Sequence, residues 1–309
     1  MPPTTDFSSA EYWSKRFESE ESFEWLISDK DLLPFVNDNL PVSFVQPEGN
    51  VNHDLSERVF NVLHFGSGSS SLGKSLQRHL NRHCYNTHKK KRIQIYDSDY
   101  VQTPYTSFPT PSNPNPIPNP SPSPTQEQDI GEDEDVVPFL LIDVLSLDSL
   151  QTTSSQNGVS RWDLIIDKST CDAISCSPSL PPDTIKINGE AGSIGGSPSD
   201  AVERLLFNLS RVTENGARWI SISYSSNRFS LPDTKSESTS NSASDPNQKS
   251  DSPGKQSIPE KYGWKLVDKR MISTTYIPGG KRVKDPKTGE ERIVHEPETG
   301  VWMYVLERI

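Results

Sequence analysis

The run Trp162-Asp163-Leu164-Ile165-Ile166-Asp167 is nearly all apolar, and residues 137–145 carry apolar side chains on both faces of an extended chain. A strand of this kind has no side to give to water. It belongs inside a parallel sheet, covered on both faces by the helices that link its strands. The rest of the sequence supplies the other parts. Residues 59–65, 92–96 and 217–224 read as further strands, and 264–272 and 301–308 as the last two. Residues 70–83 read as a helix with Leu72, Leu76 and Leu80 on one face. Residues 200–212 read as another, with Asp200 as its N-cap and Val202, Leu205, Leu206 and Leu209 as its apolar stripe. Residues 10–36 are expected to be helical and carry Trp13, Phe17, Phe23 and Trp25. The last two strands have no helix between them, so they are expected to form an antiparallel hairpin around a loop containing Pro278-Gly279-Gly280 and Pro286-Lys287-Thr288-Gly289. The expected fold is α/β and doubly wound: a mostly parallel seven-stranded sheet closed by that hairpin.

The chain has 309 residues but only 31% hydrophobic ones, fewer than a uniform globule carries. The shortage is local. Residues 102–135 hold nine prolines between Pro104 and Pro124, then Glu132-Asp133-Glu134-Asp135. Residues 177–199 are rich in Gly and Ser, and 231–259 in Ser, Asp, Asn and Lys. Each tract is too poor in apolar side chains to offset its own ordering entropy, so each is expected to be a disordered insertion in one domain spanning 1–309. A net charge of −11 argues against a general nucleic-acid binder, which needs a dominant basic face. It fits both a basic protein partner and plain solubility. The three cysteines, Cys84, Cys171 and Cys176, show no disulfide framework, which points to reduced thiols and a cytosolic or nuclear setting, with cytoplasmic as the expectation. No run has membrane-spanning length, and no signal peptide is evident. The six histidines show no metal-ligand spacing with the cysteines.

Four motifs carry chemistry. The first is Asn61-Val62-Leu63-His64-Phe65-Gly66-Ser67-Gly68-Ser69-Ser70-Ser71-Leu72-Gly73, a strand, a glycine turn and a helix start. Gly66 and Gly68 let backbone approach a ligand, and the helix start offers unpaired N–H groups. Ser71 stands where a dinucleotide fingerprint has its third glycine, which favours a ligand without pyrophosphate. A tight turn in a fold that binds no nucleotide is the alternative. In the second, Ile93-Gln94-Ile95-Tyr96-Asp97-Ser98-Asp99, a strand-end carboxylate can accept hydrogen bonds from both ribose hydroxyls. Asp97 is the first choice and Asp99 the reserve. In the third, Leu141-Ile142-Asp143-Val144, the acid suits an adenine amine or equally a helix cap. The fourth, Asp167-Lys168-Ser169-Thr170-Cys171-Asp172, ends a strand at the sheet edge where ligands bind. Asp167 and Lys168 could also be a surface ion pair of little weight.

Together these motifs resemble the class I, Rossmann-like S-adenosylmethionine-dependent methyltransferases of the methyltransferase-like 13 family, which modify lysines of translation elongation factor 1-alpha. Glu11-Tyr12-Trp13-Ser14-Lys15-Arg16-Phe17 is similar to the family's EYWDxRY/F opening, and Phe23-Glu24-Trp25 to its Y/FEW step. Val62 to Ser69 is similar to VLVxGCGNS, Tyr96-Asp97-Ser98 to xDYS, and Ile142-Asp143-Val144 to MDV. Asp167 to Ala173 is similar to D/EKGTLDA, and Tyr262-Gly263-Trp264 to YGW. Ser67 replaces the turn cysteine, Ser69 the asparagine, Ser169 the glycine after the lysine, and Cys171 the leucine.

The resemblance implies a lid over about residues 8–40 and a core from about 58 to 309. It implies an S-adenosyl-L-methionine pocket lined by Trp13, Phe17 and Trp25, with Gly66 and Gly68 beneath the methionine end. Asp97 and Ser98 would hold ribose, Asp143 and Val144 adenine, and Lys168 would stand at the end of the fourth strand. Rings near a sulfonium make sense because their faces attract cations; simple packing is the other reading of the three. The implied reaction is attack by a neutral lysine amine of elongation factor 1-alpha on the cofactor methyl group, by a monomer that binds neither nucleic acid nor membrane. Asp167 and Tyr12 are the candidates for orienting the amine. The competing functions are methylation of a small molecule or another protein, and a non-catalytic scaffold using its proline-rich segment for recognition.

Overall fold

A computed structural model of the chain describes residues 6–20, 22–45, 59–86, 92–103, 136–181, 184–187, 190–193, 198–229, 257–274, 281–284, 291–294 and 300–309. In chain order the elements are α1 (Ala10–Phe17), α2 (Asp29–Asp38), α3 (Val42–Val45), β1 (Phe60–Phe65), α4 (Leu72–Asn86), β2 (Ile93–Asp99), β3 (Phe139–Leu141), α5 (Leu147–Gln156), β4 (Trp162–Lys168), α6 (Thr170–Ile174), β5 (Thr184–Ile187), β6 (Glu190–Ser193), α7 (Ala201–Val212), β7 (Thr213–Ser223), α8 (Ile258–Lys261), β8 (Trp264–Thr274), β9 (Lys281–Lys284), β10 (Glu291–Val294) and β11 (Gly300–Arg308).

The main sheet has seven strands in the order β3-β2-β1-β4-β7-β11-β8. The first five are parallel, and β11 runs antiparallel to both β7 and β8. This is the expected mostly parallel, doubly wound sheet with its antiparallel C-terminal pair. Strand pleating sends alternate residues to opposite faces. On β4, Ile165 joins one core with Leu205, Leu206 and Leu209 of α7, and Trp162 joins it too because the strand is irregular between Trp162 and Leu164. Leu164 and Ile166 join the other with Leu32 and Val36 of α2 and Leu72, Leu76 and Leu80 of α4. Every residue of β4 is buried, which is why its sequence does not alternate.

Local chemistry sets the helix starts. The Asp200 carboxylate accepts from the Glu203 N–H at the start of α7, and Ser146 does the same for Ser149 at α5. Ser257 and Glu260 form a capping box on α8.

Several elements differ from the sequence expectation. The single helix expected over 10–36 is two helices, separated by a turn in which Leu26 adopts φ 65°. The strand expected over 137–145 is only Phe139–Leu141, because Asp143 opens a turn by accepting the Leu145 N–H at 2.9 Å. The tract 177–199 contains β5 and β6, which pair antiparallel, and the third tract gives way to α8 at Ile258. The tracts 104–135 and 230–256, and the Pro-Gly turns of the C-terminal loop, lie outside the described residues; within that loop β9 and β10 pair antiparallel. No helix among the described residues is long and apolar enough to cross a membrane.

Candidate active site

The strand order reverses between β1 and β4, so the connections leaving these two strands part to either side and open a crevice at their carboxyl ends. A cavity of about 360 Å3 lies there. The turn Gly66–Ser69 after β1 forms its floor. Asp99 and Tyr100 from the end of β2, Ile142–Leu145 after β3, Lys168–Thr170 after β4 and Tyr224 after β7 form its sides. The N-terminal segment covers it with Phe7, Trp13, Phe17, Glu20, Phe23 and Trp25.

Of the residues expected to bind cofactor, Trp13, Phe17, Trp25, Gly66, Gly68, Asp143, Val144 and Lys168 line this cavity. Asp97 and Ser98 do not. Asp97 is one pleat short of the strand end, and its carboxylate lies 2.7 Å from His64 Nδ1. A Cβ on Gly73 would overlap that carboxylate, so Asp97 sits against the start of α4. Ser98 points to the other face and is fully buried, with its Oγ 3.5 Å from the His64 carbonyl. The strand-end acid that lines the cavity is Asp99, the reserve choice. Its carboxylate accepts the Gly68 N–H at 3.1 Å and the Val101 N–H at 3.2 Å. Burial raises its pKa to about 6 against the lowering effect of those N–H groups. The signal was in the motif: the family pattern has a ring after the acid, and Asp99-Tyr100 has one whereas Asp97-Ser98 does not.

Asp143 is exposed toward the cavity with Oδ1 held by the Leu145 N–H. It is not the cap of α5, since Ser146 fills that role.

Neither candidate for orienting an amine reaches the cavity. Asp167 is fully buried, accepting the Cys171 N–H at 3.0 Å and Trp219 Nε1–H at 2.8 Å. Burial raises its pKa to about 6. It holds the β4–α6 turn to β7 and is a structural acid. The Tyr12 hydroxyl lies 3.2 Å from an Arg16 guanidinium nitrogen and is absent from the cavity wall. The acid that does face the mouth is Asp172. Its carboxylate accepts from Arg228 at 2.6 Å, from the Ser223 hydroxyl and from the Tyr224 N–H at 2.9 Å. The residue types around Asp172 gave no sequence clue to this, because Arg228 and Ser223 lie more than fifty residues away.

Lys168 does not pair with Asp167. Its side chain is 2% exposed, and its ammonium meets Glu24, the Ile27 carbonyl at 3.3 Å and Asp29 at 3.6 Å. The serines of the glycine turn bind the same lid segment: Ser69 donates to Glu20 at 2.7 Å, and Ser71 to Asp29 at 2.7 Å. The rings fill two roles. Phe17 is buried, and its ring lies 3.1 Å from where a Gly68 Cβ would be. Trp13 and Trp25 are half-buried with centroids 6.2 Å apart, and the Arg16 guanidinium stacks on Trp25 at 4.7 Å.

No protein-family model matches the chain. The methyltransferase srdJ of Neurospora crassa is 26% identical over 231 residues, covering 75% of this chain and 72% of its own. The chain is thus similar to a methyltransferase over three quarters of its length, on the mostly parallel, doubly wound sheet described above. Solved structures of similar course include an S-adenosylmethionine-dependent methyltransferase from Clostridium acetobutylicum, 11% identical with a TM-score of 0.35 over 92% of this chain and 93% of that one. A TehB-like S-adenosylmethionine-dependent methyltransferase from Corynebacterium glutamicum is 11% identical with a TM-score of 0.34 over 97% and 98%. TrmN from Thermus thermophilus is 11% identical with a TM-score of 0.31 over 91% of this chain, which spans 48% of that protein.

Proposed function

We propose that the chain is an S-adenosylmethionine-dependent protein-lysine methyltransferase, with elongation factor 1-alpha as the substrate that its motifs suggest. One observation carries the reading: two carboxylates, Asp99 and Asp143, stand at neighbouring strand ends beside a glycine turn, under a lid of aromatic rings.

These residues fit the cofactor. Asp99 is a buried acceptor whose protein partners are backbone N–H groups and whose remaining lone pairs suit ribose hydroxyls. Gly66 has φ 63°, and a Cβ there would overlap Thr170, so this turn of the cavity floor requires glycine. Asp143 and the Val144 backbone would take the adenine edge. Trp13 and Trp25 line the cavity as apolar walls, with the Arg16 guanidinium lying over both rings. When bound, the cofactor supplies an electrophilic methyl group on a sulfonium.

The lining carries the carboxylates of Glu20, Asp99, Asp143 and Asp172; Glu20 is paired with Arg16 and Asp172 with Arg228. A lysine amine must be neutral to attack, and aromatic, partly desolvated walls lower its pKa. Tyr224 and Asp172 line the side where it would enter, and the proton the amine gives up leaves to solvent there. The chain's remaining contribution is alignment.

The test has two stages. Calorimetry with S-adenosylhomocysteine should show micromolar binding. Labelled S-adenosylmethionine with purified elongation factor 1-alpha should then label lysine. Label appearing only in a protein-free extract would move the acceptor to a small molecule. Binding with no transfer to any acceptor would leave a scaffold.

A further inference from the structure

The first turn of a helix that follows a glycine turn is where a Rossmann fold holds the pyrophosphate of a dinucleotide. In this chain that place is filled from within. The Glu24 carboxylate accepts the Ser71 N–H at 3.0 Å, the Ser70 hydroxyl at 3.1 Å and the Ser71 hydroxyl at 3.3 Å. It also binds the Lys168 ammonium, which comes from the end of another strand and is 2% exposed. A helix start, two hydroxyls and a buried ammonium together form an anion site, and a lid residue occupies it.

We infer that Glu24 is a specificity-determining residue: its carboxylate takes the phosphate position, so the cavity admits a nucleoside cofactor and rejects one carrying a pyrophosphate. The same contact fastens the lid. Glu24 lies next to Trp25, and Lys168 also holds the Ile27 carbonyl and Asp29. Asp29 in turn accepts from Ser71 and from Ser75 at 2.9 Å. Glu24 is therefore a positioning residue for Trp25, acting through the lid rather than on the ligand. Burial disfavours its charge, but the Lys168 hydrogen bond and charge and the Ser71 N–H outweigh that and hold its pKa below the usual carboxylate value. The carboxylate thus stays ionised and keeps the site filled.

The inference depends on the methyl-transfer reading only for the choice of nucleoside. Wild-type chain should bind S-adenosylhomocysteine and show no binding of NAD+. In Glu24→Ala the affinity for S-adenosylhomocysteine should fall about tenfold or more. High millimolar acetate should restore it by entering the emptied site. Acetate and inorganic phosphate should also raise the thermal midpoint of Glu24→Ala more than that of wild type. A merely structural role predicts no selective rescue. Equal anion effects on the two proteins would overturn the inference, as would NAD+ binding to wild type as tightly as S-adenosylhomocysteine. If wild type binds neither nucleoside, the methyl-transfer reading fails while the anion shift still decides the role of Glu24. Should Glu24→Ala not fold, Glu24→Gln keeps the volume without the charge. It should lose affinity and gain no rescue, and wild-type affinity in that variant would again overturn the inference.

Discussion

The Asp97 carboxylate lies 2.7 Å from Nδ1 of His64, its register partner on β1, and both side chains are turned under α4 rather than toward the cavity. Two residues on, Asp99 faces the glycine turn. The pair separates structure from binding. Asp99→Asn should weaken S-adenosylhomocysteine binding about tenfold to a hundredfold, the worth of one or two charge-assisted hydrogen bonds. Asp97→Asn should leave the affinity within about threefold but cost about 1–3 kcal/mol of stability, because His64 is 1% exposed and would keep a buried ring nitrogen with a poorer partner. Calorimetry and denaturant melts on the two variants would check this. The reverse assignment of effects would return the ribose role to Asp97.

Asp99 also fixes a pH dependence. Its pKa is near 6 in the folded chain, against an ordinary 3.8, and Asp167 is raised to the same value. Between those values the folded state binds more protons than the unfolded state. The stability these two groups contribute is therefore present at acid pH and is lost as pH rises through about 6. Ligand binding should run the other way. Ribose hydroxyls need the ionised acceptor, so affinity should fall as pH drops below about 6. Titrations across pH 5 to 8 would show this as a slope that Asp99→Asn lacks. A flat wild-type profile would remove Asp99 from the ligand.

The parts of this arrangement that the sequence revealed are those with a repeating physical signature. β4 was legible because burial on both faces suppresses alternation, and α7 because Asp200 caps a clean apolar stripe. α5 was missed: Leu147 and Leu150 are its only apolar positions in a run of Ser, Thr and Gln. Strand alternation could not choose between Asp97 and Asp99, because both lie on the same side of the pleat; the readable signal was the ring after Asp99, and the point where β2 ends decides which one reaches the ligand edge. The break at Leu26 carries neither Gly nor Pro. The Lys168–Glu24 contact joins residues 144 positions apart, and no local pattern encodes such a pairing.

Gly66 offers a test of how the floor of the cavity is built. A Cβ there would fall within the Thr170 side chain, and φ is 63°. Gly66→Ala should therefore cost about 2–5 kcal/mol, from overpacking plus a left-handed backbone. The two causes can be separated. Adding Thr170→Gly removes the clash but not the backbone cost, so the double variant should recover part of the loss. Denaturant midpoints of the wild type, the two single variants and the double variant form the cycle. Full recovery would show that the backbone at this position is not strained by a side chain.

Ser169 is the opposite case, a side chain where the motif it resembles has glycine. It adopts φ 70° and ψ −4° ahead of α6, and its hydroxyl makes no capping hydrogen bond there. A residue with a Cβ in this region costs about 1–2 kcal/mol relative to one without. Ser169→Gly gives up no cap and relieves that cost, although glycine also loses more freedom on folding. The net gain should be about 1 kcal/mol, a rise in the thermal midpoint of about 2–4 °C for a core of this size. Ser169→Ala is the control. It keeps the Cβ and so should show no rise; an equal rise in both variants would mean that the hydroxyl, not the backbone, was the source of the penalty.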